Sequence, residues 1–313
     1  MPPEISELLT AIAVAYGNRA MIGHEVAPQT PVIGRTYKYR VTDVNDAWKL
    51  PKTQIGPTGR VNQVEFRSSL ADGSVGDNGL GSTMSAEELA NYAKMGIDGV
   101  ENRVQRLTEL IVLCKEIEIA TMAQDPANYA PANITSYTSL NDWTHPSTDI
   151  IAEIQRAQDE GVVEYNRIAM SSLLWNYVKK NPFVVKFVRG TTASENVSLR
   201  EFADALELEL VLKGGGRYDV ALPGEPANLK RAWGNSPFLF RFERPSTSEE
   251  ANTFMIDANW AMTGTSRIVS VEDQAAGIYG LGVSKRVVVG EYSKPLVTSR
   301  HYGHLFKNAA PTN

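Results

Sequence analysis

Two neighbouring stretches with a period of two residues constrain the fold of this chain more than any other feature. Tyr37 and Tyr39 alternate with polar side chains, and the run from Val61 to Ser69 alternates in the same way. Alternation at this period is typical of a strand with one buried face. Because the residues between the two runs are rich in glycine and proline, we predict one long hairpin over residues 36–69. Strands of about nine residues rise by about 3.3 Å per residue, so the hairpin extends for roughly 30 Å.

Such a hairpin needs a second surface, because a two-stranded ribbon alone is only marginally stable in water. Its aromatic and aliphatic side chains have to be covered. Two interpretations stay open: the hairpin lies on its own domain, or it lies on a neighbouring subunit of an assembly. Under the second interpretation, the predicted inter-subunit contact residues are Tyr37, Tyr39, Trp48, Lys52, Arg60 and Phe66.

The longest periodic segment runs from Ile97 to Ala123 and predicts a single long helix. Its apolar residues recur at intervals of three and four, and Cys114 belongs to this apolar series. We therefore predict that Cys114 is buried as a small hydrophobic residue. A helix of this length measures about 40 Å at 1.5 Å per residue, and we expect it to end before Pro126.

The rest of the chain mixes helices and strands in no regular order, which favours an α+β fold over a doubly wound sheet. The glycine-rich residues 73–81 are predicted to form a loop, and Ser85 to Glu88 forms a capping box that opens a short helix. Further helices are predicted over residues 5–16, 148–160, 171–179 and 198–206. Further strands are predicted over residues 183–188, 209–212, 237–242 and 285–289.

Motifs that could carry chemistry are weak. His301 and His304 lie three residues apart, but no cysteine or acidic residue lies close by in sequence, so we predict no metal site. The glycine run between Lys213 and Arg217 could hold an anion on backbone amides, but no helix start follows it, and a turn is the preferred interpretation. No nucleophile elbow exposes a serine. We therefore predict no catalytic residues, no cofactor and no enzyme activity.

Charge and hydropathy argue against two classes of partner. The chain has 31 basic and 36 acidic residues and a formal charge of −5, so it lacks the basic surplus of a tight DNA-binding protein. Its N-terminus lacks the basic region of an export signal, and no apolar run reaches the length of about 18 residues that a membrane span needs. The single cysteine fits a reducing cytoplasm.

Several short motifs follow one another along most of the chain. They are residues 28–32 with 37–39, residues 77–81 with 87–90, residues 118–120 with 125–129, Trp143, residues 149–154, Trp175 with 181–182, and residues 232–234. Each motif is short and tolerant of change. Their order and spacing, however, resemble those of the major capsid proteins of tailed phages, which share the Hong Kong 97-type shell fold.

This resemblance implies a division of the chain into four parts. Residues 1–34 would form an N-terminal arm and residues 35–84 an extended β-hairpin loop. A peripheral domain would comprise residues 85–159 and 265–313, with a spine helix over 97–123. An axial domain would comprise residues 160–264.

The resemblance also implies a function and a set of partners. The chain would be a structural subunit that assembles into hexamers and pentamers of an icosahedral phage head, in the cytoplasm of a bacterial host. It would contact packaged double-stranded DNA only non-specifically. Since the chain begins directly with the arm, we expect a separate scaffold protein, together with a portal and a decoration protein.

Two alternatives to a phage head stay open. An encapsulin-type nanocompartment shell has the same fold and encloses cargo proteins instead of DNA. A cytoplasmic enzyme with a site dispersed along the chain would escape a search for local motifs.

Overall fold

The structure, a computed structural model, describes residues 4–5, 9, 21–41, 50, 53–55, 59–62, 69–138, 140–190, 196–222, 224–245, 247–250, 252–261, 265–279 and 282–311. The helices within these ranges are α1 (Gly23–Val26), α2 (Ala86–Lys94), α3 (Gly99–Ala123), α4 (Ile150–Glu160), α5 (Ser172–Val178), α6 (Pro182–Arg189) and α7 (Leu199–Ala205). The strands are β1 (Glu4–Ile5), β2 (Gln29–Pro31), β3 (Thr36–Val41), β4 (Ser69–Ser74), β5 (Gly76–Met84), β6 (Ile134–Ser136), β7 (Arg167–Ser171), β8 (Leu210–Gly214), β9 (Arg217–Asp219), β10 (Leu229–Arg231), β11 (Phe238–Phe240), β12 (Met255–Asn259), β13 (Arg267–Gln274), β14 (Ser284–Val297) and β15 (Gly303–Lys307).

The first sheet is organised around β14. In the described part of the chain it has six strands in the order β1-β13-β14-β12-β2, and β5 also pairs with β14. The β13–β14 pair is antiparallel, with a register from Arg267 opposite Glu291 to Gln274 opposite Ser284. Because β14 binds three partner strands along its 14 residues, it joins segments that lie far apart in sequence.

The second sheet has the order β6-β15-β11-β7-β8, which is five strands within the described ranges. One face packs against α4, α5, α6 and α7 through a core that includes Trp143, Ile154 and Phe202. The opposite face packs against the C-terminal half of α3, where Ile119 and Ala123 meet the sheet. The sheet is therefore covered on both faces.

The long helix α3 links the two sheets. Its N-terminal half places Val104, Leu107 and Ile111 against Val287 and Val289 of β14. Its start is capped by the Asp98 carboxylate, which accepts hydrogen bonds from the first backbone amides of the helix. The predicted long helix is confirmed, and it ends before Pro126 as expected.

The predicted burial of Cys114 is wrong, because its side chain is exposed. The buried stripe of α3 passes through Ile111 and then through Glu116 and Ile119, since the two halves of the helix pack against different sheets. A single apolar series read along the whole helix therefore assigned Cys114 to the wrong side.

The segment predicted as a strand over residues 183–188 forms the helix α6. Its apolar, β-branched composition favours a strand, but its N-terminus is specified by local capping. Asn181 Oδ1 accepts hydrogen bonds from the backbone of Phe183 and Val184, at 2.9 and 3.4 Å. Pro182 occupies the first helical position, where its fixed φ angle is suited to a helix.

The glycine-rich segment predicted as a loop over residues 73–81 contributes to two strands, β4 and β5. It forms regular structure because β5 pairs with the long strand β14, from Met84 opposite Lys285 to Gly76 opposite Ser293. Glycine suits this close approach, since a Cβ atom added at Gly290 would lie 3.3 Å from the Asn78 carbonyl oxygen.

The predicted hairpin is present with a different return strand. Its first strand is β3, as predicted, but β3 pairs with β4 in a register from Thr36 opposite Ser74 to Val41 opposite Ser69. Most of the predicted return strand, residues 63–68, lies outside the described residues. The predicted helix over residues 5–16 also lies mostly outside them, although Ile5 belongs to strand β1.

Candidate subunit-contact surfaces and buried charge sites

The base of the β3–β4 hairpin is clamped to its own chain. The Tyr37 ring is 8% exposed and packs with Val32, Val75 and Ala258. Gly73 makes room for it, because a Cβ atom there would lie 2.6 Å from Tyr37 Cζ. At its base, therefore, the hairpin lies on its own domain.

A second clamp at the hairpin base is electrostatic. Arg35 Nη2 donates to both carboxylate oxygens of Asp77, at 2.6 and 2.5 Å. The same guanidinium lies 5.9 Å from the ring centre of Trp260 and 5.6 Å from that of Tyr292. The cation is thus held between a carboxylate and two aromatic rings, one on β14 and one just after β12.

The predicted contact residues of the hairpin divide into three groups. Tyr37 is buried within its own chain, and Tyr39 is half-buried beside it. Arg60 is exposed. The remaining three, Trp48, Lys52 and Phe66, lie outside the described residues, so their contacts stay a prediction.

Exposed apolar side chains cluster on the segments around the hairpin. Ile33 and Leu50 are almost fully exposed, Val61 is largely exposed, and Leu70 is partly exposed. Singly exposed apolar residues are ordinary, but several along one stretch of the chain make it a candidate for contact with another protein. This surface is the candidate subunit-contact region.

A buried charge cluster joins α3 to the first sheet. Lys115 Nζ lies 2.9 Å from Asp257 and 2.5 Å from Glu291, and Arg267 Nη2 lies 2.9 Å from Glu291. Burial by itself would lower the pKa of Lys115, but the two carboxylates outweigh it and raise that pKa. Two cations thus neutralise two carboxylates in a site from which water is largely excluded.

The two carboxylates of this cluster are affected in opposite directions. Burial raises the pKa of Asp257 in spite of the nearby Lys115. The pKa of Glu291 is lowered, because Lys115 and Arg267 together outweigh its burial. We attribute the difference to the number of cations in contact with each group, two for Glu291 and one for Asp257.

Glu116 forms a second buried site, next to Lys115 on the same helix. Its carboxylate accepts hydrogen bonds from the backbone of Ile22 at 2.8 Å, from the backbone of Gly23 at 2.6 Å and from Trp233 Nε1 at 2.6 Å. One side chain therefore ties the long helix to α1 and to the segment after β10. Hydrogen bonds to a charged group are stronger than neutral ones, so this junction is rigid.

A third buried charge, Arg167, lies at the first position of strand β7 in the second sheet. Its guanidinium donates to Glu25 at 2.8 Å and to Glu209 at 2.6 Å. It also lies 3.4 Å from the ring centre of Phe242. These contacts make Glu209 a structural partner of Arg167.

The two histidines considered as metal ligands lie in the sequence around β15. His304 is buried, and its Nε2 lies 2.9 Å from Thr135 Oγ1. Burial lowers the pKa of His304 to about 4, so the ring is neutral at pH 7. Among the residues that the structure describes, no group of three or more histidine, cysteine or acidic side chains is placed to hold a metal ion.

The helices within the described ranges include none that is both long and apolar enough to cross a membrane.

Sequence reasoning missed the buried charge sites at Lys115 and Glu116. Their only signal was a pair of charged residues that interrupts the apolar periodicity of α3, and charged residues at such positions are usually solvated.

Comparison with known proteins gives one relative by sequence and several by fold. No protein-family model matches the chain. The chain is 30% identical over 310 residues to the "Major capsid protein" of Pseudomonas phage JBD67, and the match covers 98% of each chain. In fold it is similar to a phage-related protein from Bordetella bronchiseptica RB50, with a TM-score of 0.74, 20% identity and 99% of both chains covered. It is also similar to a putative capsid protein of a prophage in E. coli CFT073, with a TM-score of 0.58, 10% identity and 98% and 99% of the two chains covered.

Proposed function

This chain belongs to the family of phage major capsid proteins, and from that premise we propose how its parts build the phage head. It is a structural subunit of an icosahedral shell, located in the virion, and not an enzyme. The observation that carries this conclusion is the 30% identity to a phage major capsid protein across 98% of both chains. Because that relative is a phage protein, a virus head is favoured over a nanocompartment with the same fold.

We propose that the chain is divided in the way that the resemblance implied. The arm comprises residues 1–34, the extended loop 35–84, the peripheral domain 85–159 with 265–313, and the axial domain 160–264. The position of α3 between the two sheets supports its role as a spine. Strand β15 of the proposed peripheral domain pairs with β11 of the proposed axial domain, so the second sheet contains strands from both.

We propose that the outer part of the extended loop lies on a neighbouring subunit. The clamps at Tyr37 and Arg35 hold its base on its own subunit. The contact is assigned to Trp48, Lys52, Arg60 and Phe66. Exposed Leu50 and Val61 support an apolar contact at this part of the loop.

Electron microscopy of the expressed protein tests this function. We expect closed shells or capsomers, and a protein that stays monomeric or forms nothing larger than a dimer or trimer under all conditions would contradict the assignment. In a second experiment, Trp48→Ala with Phe66→Ala should abolish shells while the circular dichroism spectrum stays unchanged. Tyr177→Ala, an exposed aromatic residue outside the loop, is the matched control and should assemble normally.

We also propose partners beyond the chain itself. A scaffold protein would set the curvature with which identical subunits assemble, and a portal would form the opening through which DNA passes. A decoration protein would bind the surface of the assembled shell. With a net charge of −5, the chain would contact packaged DNA only non-specifically. Co-expression with the neighbouring genes tests this set, and uniform shells from the chain alone would argue against a separate scaffold.

A further inference from the structure

Strands β7 and β8 give the second sheet two distinct ends. They are parallel and in register, with Arg167 opposite Leu210 at their start and Ser171 opposite Gly214 at their finish. The segments before both strands therefore lie at one end, and the segments after both strands lie at the other. With a rise of about 3.3 Å per residue, the two ends are separated by more than about 13 Å.

The end of the sheet at which β7 and β8 begin carries an acidic concavity. A concavity of about 410 Å³ is lined by Gln155, Gln158, Asp159, Glu164, Tyr165, Ala205, Leu206 and Glu207. This lining includes three carboxylates, which are exposed, and no lysine or arginine. Within the described part of the chain, Asp159, Glu164 and Glu207 form no ion pair with a lysine or arginine, whereas Glu209 nearby is paired with Arg167.

Glu207 is held in an unusual backbone conformation. Its φ angle is 56°, in the left-handed region that glycine and asparagine adopt more readily. This position follows the C-terminus of α7, where glycine would be the least strained choice. The backbone thus presents a glutamate carboxylate at the rim of the concavity at some cost in local strain.

The end of the sheet at which β7 and β8 finish carries the two-stranded sheet of β9 and β10, which is called the basic ribbon. The register of this two-stranded sheet places Arg217 directly opposite Arg231, and it places Lys230 opposite Tyr218 on the other face of the ribbon. Like charges opposite one another destabilise a strand pair. A concavity of about 420 Å³ next to the ribbon is lined in part by Lys230, Arg231 and Trp233, and its lining includes no acidic residue.

Among the residues that the structure describes, the cations of this ribbon have no counter-ion. Arg231 donates to Ser172 Oγ at 2.9 Å, but among the described residues no carboxylate forms an ion pair with Arg217, Lys230 or Arg231. The ribbon's own acid, Asp219, is engaged by backbone amides, and its pKa is lowered mainly by those hydrogen bonds.

Apolar side chains accompany these cations. Leu222 and Leu229 are 69% and 62% exposed, and Val220 is partly exposed. The ribbon belongs to neither of the two large sheets, and a two-stranded ribbon is only marginally stable alone. Apolar residues beside unpaired charges are typical of a protein contact rather than of a nucleic-acid contact.

We propose that the basic ribbon of one subunit docks into the acidic concavity of the next subunit of the same capsomer. The two surfaces differ in sign and lie at opposite ends of one sheet, so the contact is heterologous: each subunit offers a ribbon to one neighbour and a concavity to the other. Heterologous contacts close into a ring when the rotation between neighbours closes, as a capsomer requires. This inference rests on the proposed function and names the surfaces that would join subunits around the capsomer axis.

Charge reversal tests the contact. Arg217→Glu with Lys230→Glu, and separately Glu164→Lys with Glu207→Lys, should each abolish capsomers and shells in light scattering and electron microscopy. The variant that combines all four changes should assemble again, because the signs are exchanged and remain complementary. Lys294→Glu with Lys307→Glu makes an equal change of charge at exposed positions elsewhere and should assemble normally. Circular dichroism of each variant verifies that it folds.

Zero-length coupling of amines to carboxylates gives an independent readout. In assembled wild-type protein, peptide mapping should find Lys230 joined to Glu164 or Glu207 of another subunit, and the coupled products should form a ladder that ends at five or six subunits. Products that stop at the dimer would indicate a symmetric contact and would overturn the inference.

Three outcomes separate this inference from the proposed function. If either pair of reversals assembles normally, or if the fourfold exchange does not restore assembly, the contact is wrong while the shell function stands. If Arg217→Glu with Lys230→Glu forms normal shells that only retain less DNA, the ribbon faces the packaged genome and the contact is also wrong. If the wild-type protein forms no shell under any condition, the proposed function itself fails.

Discussion

Replacing Lys115 with methionine removes the cation that neutralises two buried carboxylates. Methionine keeps most of the length and apolar surface of the lysine stem, so the change removes charge with little change in packing. Asp257 would lose its one cation contact, and Glu291 would keep only Arg267. The perturbation therefore isolates the electrostatic contribution of the cluster that ties the long helix to the first sheet.

The expected loss of stability follows from the contact distances. At 2.9 Å and an effective dielectric constant of about 20, a pair of unit charges attracts by roughly 6 kcal/mol. The cost of burying the lysine charge offsets part of this attraction, and breaking one buried pair typically costs about 3–5 kcal/mol. We expect a loss of about 3–5 kcal/mol, which is a large fraction of the roughly 5–15 kcal/mol that stabilises a typical domain.

The loss should shrink in acid. The folded pKa of Asp257 is already raised by burial, and without Lys115 it rises further. An acid with a raised folded pKa binds protons more readily in the folded state, so the variant gains stability as pH falls through that pKa towards the unfolded value of about 4. In the wild type the lowered pKa of Glu291 contributes stability that is lost only as pH falls below its unfolded value of about 4 and through its folded pKa, and the rise in the pKa of Asp257, which is smaller than in the variant, acts in the opposite sense.

Urea denaturation of unassembled subunits between pH 7 and pH 5 measures both effects. Lys94→Met, at an exposed position near the end of α2, is the matched control and should change the free energy of unfolding by less than about 0.5 kcal/mol. A loss below about 1 kcal/mol for Lys115→Met, or a loss that is constant across this pH range, would refute the reasoning.

Three further predictions concern other buried sites. Glu116→Gln should destabilise the subunit by about 1–3 kcal/mol in urea denaturation, because a neutral amide cannot accept three hydrogen bonds as strongly as the carboxylate does; an unchanged midpoint would contradict this. His304→Asn should flatten the pH dependence of stability between pH values of about 6.5 and about 4. Burial lowers the pKa of the His304 ring to about 4, so the wild type loses stability as pH falls through this window. Equal slopes in both proteins would show that the ring does not contribute. Gly214→Ala should lower the melting temperature, because its Cβ would lie 2.1 Å from Trp233 Cδ1 and overpacking costs about 1–3 kcal/mol. Gly76→Ala is the control and should have little effect, since the atom nearest to its Cβ lies at 3.9 Å. Equal melting temperatures for the two alanine variants would count against this geometry.

Most elements whose signals lie within a few residues were predicted well, but α6, which is capped locally by Asn181, was predicted as a strand. The helix α7 follows a capping box in which Ser198 and Glu201 bond each other's backbone amides, and the predicted helix over residues 198–206 is confirmed. The long helix α3 was also predicted, because its periodicity continues over many turns. The α+β class is confirmed as well, since it depends on the mixture of such elements and not on their arrangement.

Elements that depend on distant partners were predicted poorly. Strand β5 contains several glycines and has little strand propensity of its own, and it forms because β14, about 200 residues later, offers it a backbone edge. The same applies to Cys114, whose exposure depends on which sheet each half of α3 packs against. A local pattern carries no information about either partner.

The candidate contact surfaces show the same division. Sequence patterning located the hairpin and proposed that part of it lies on another subunit, because an isolated ribbon cannot cover its own apolar face. Patterning could not show that Tyr37 is buried against Ala258, or that Lys115 meets Asp257 142 positions away. Nor could it show that an acidic concavity and a basic ribbon lie at opposite ends of one sheet. Periodicity and capping act over a few residues, whereas burial, ion pairing and the position of a surface are set by strands that meet only when the whole chain has folded.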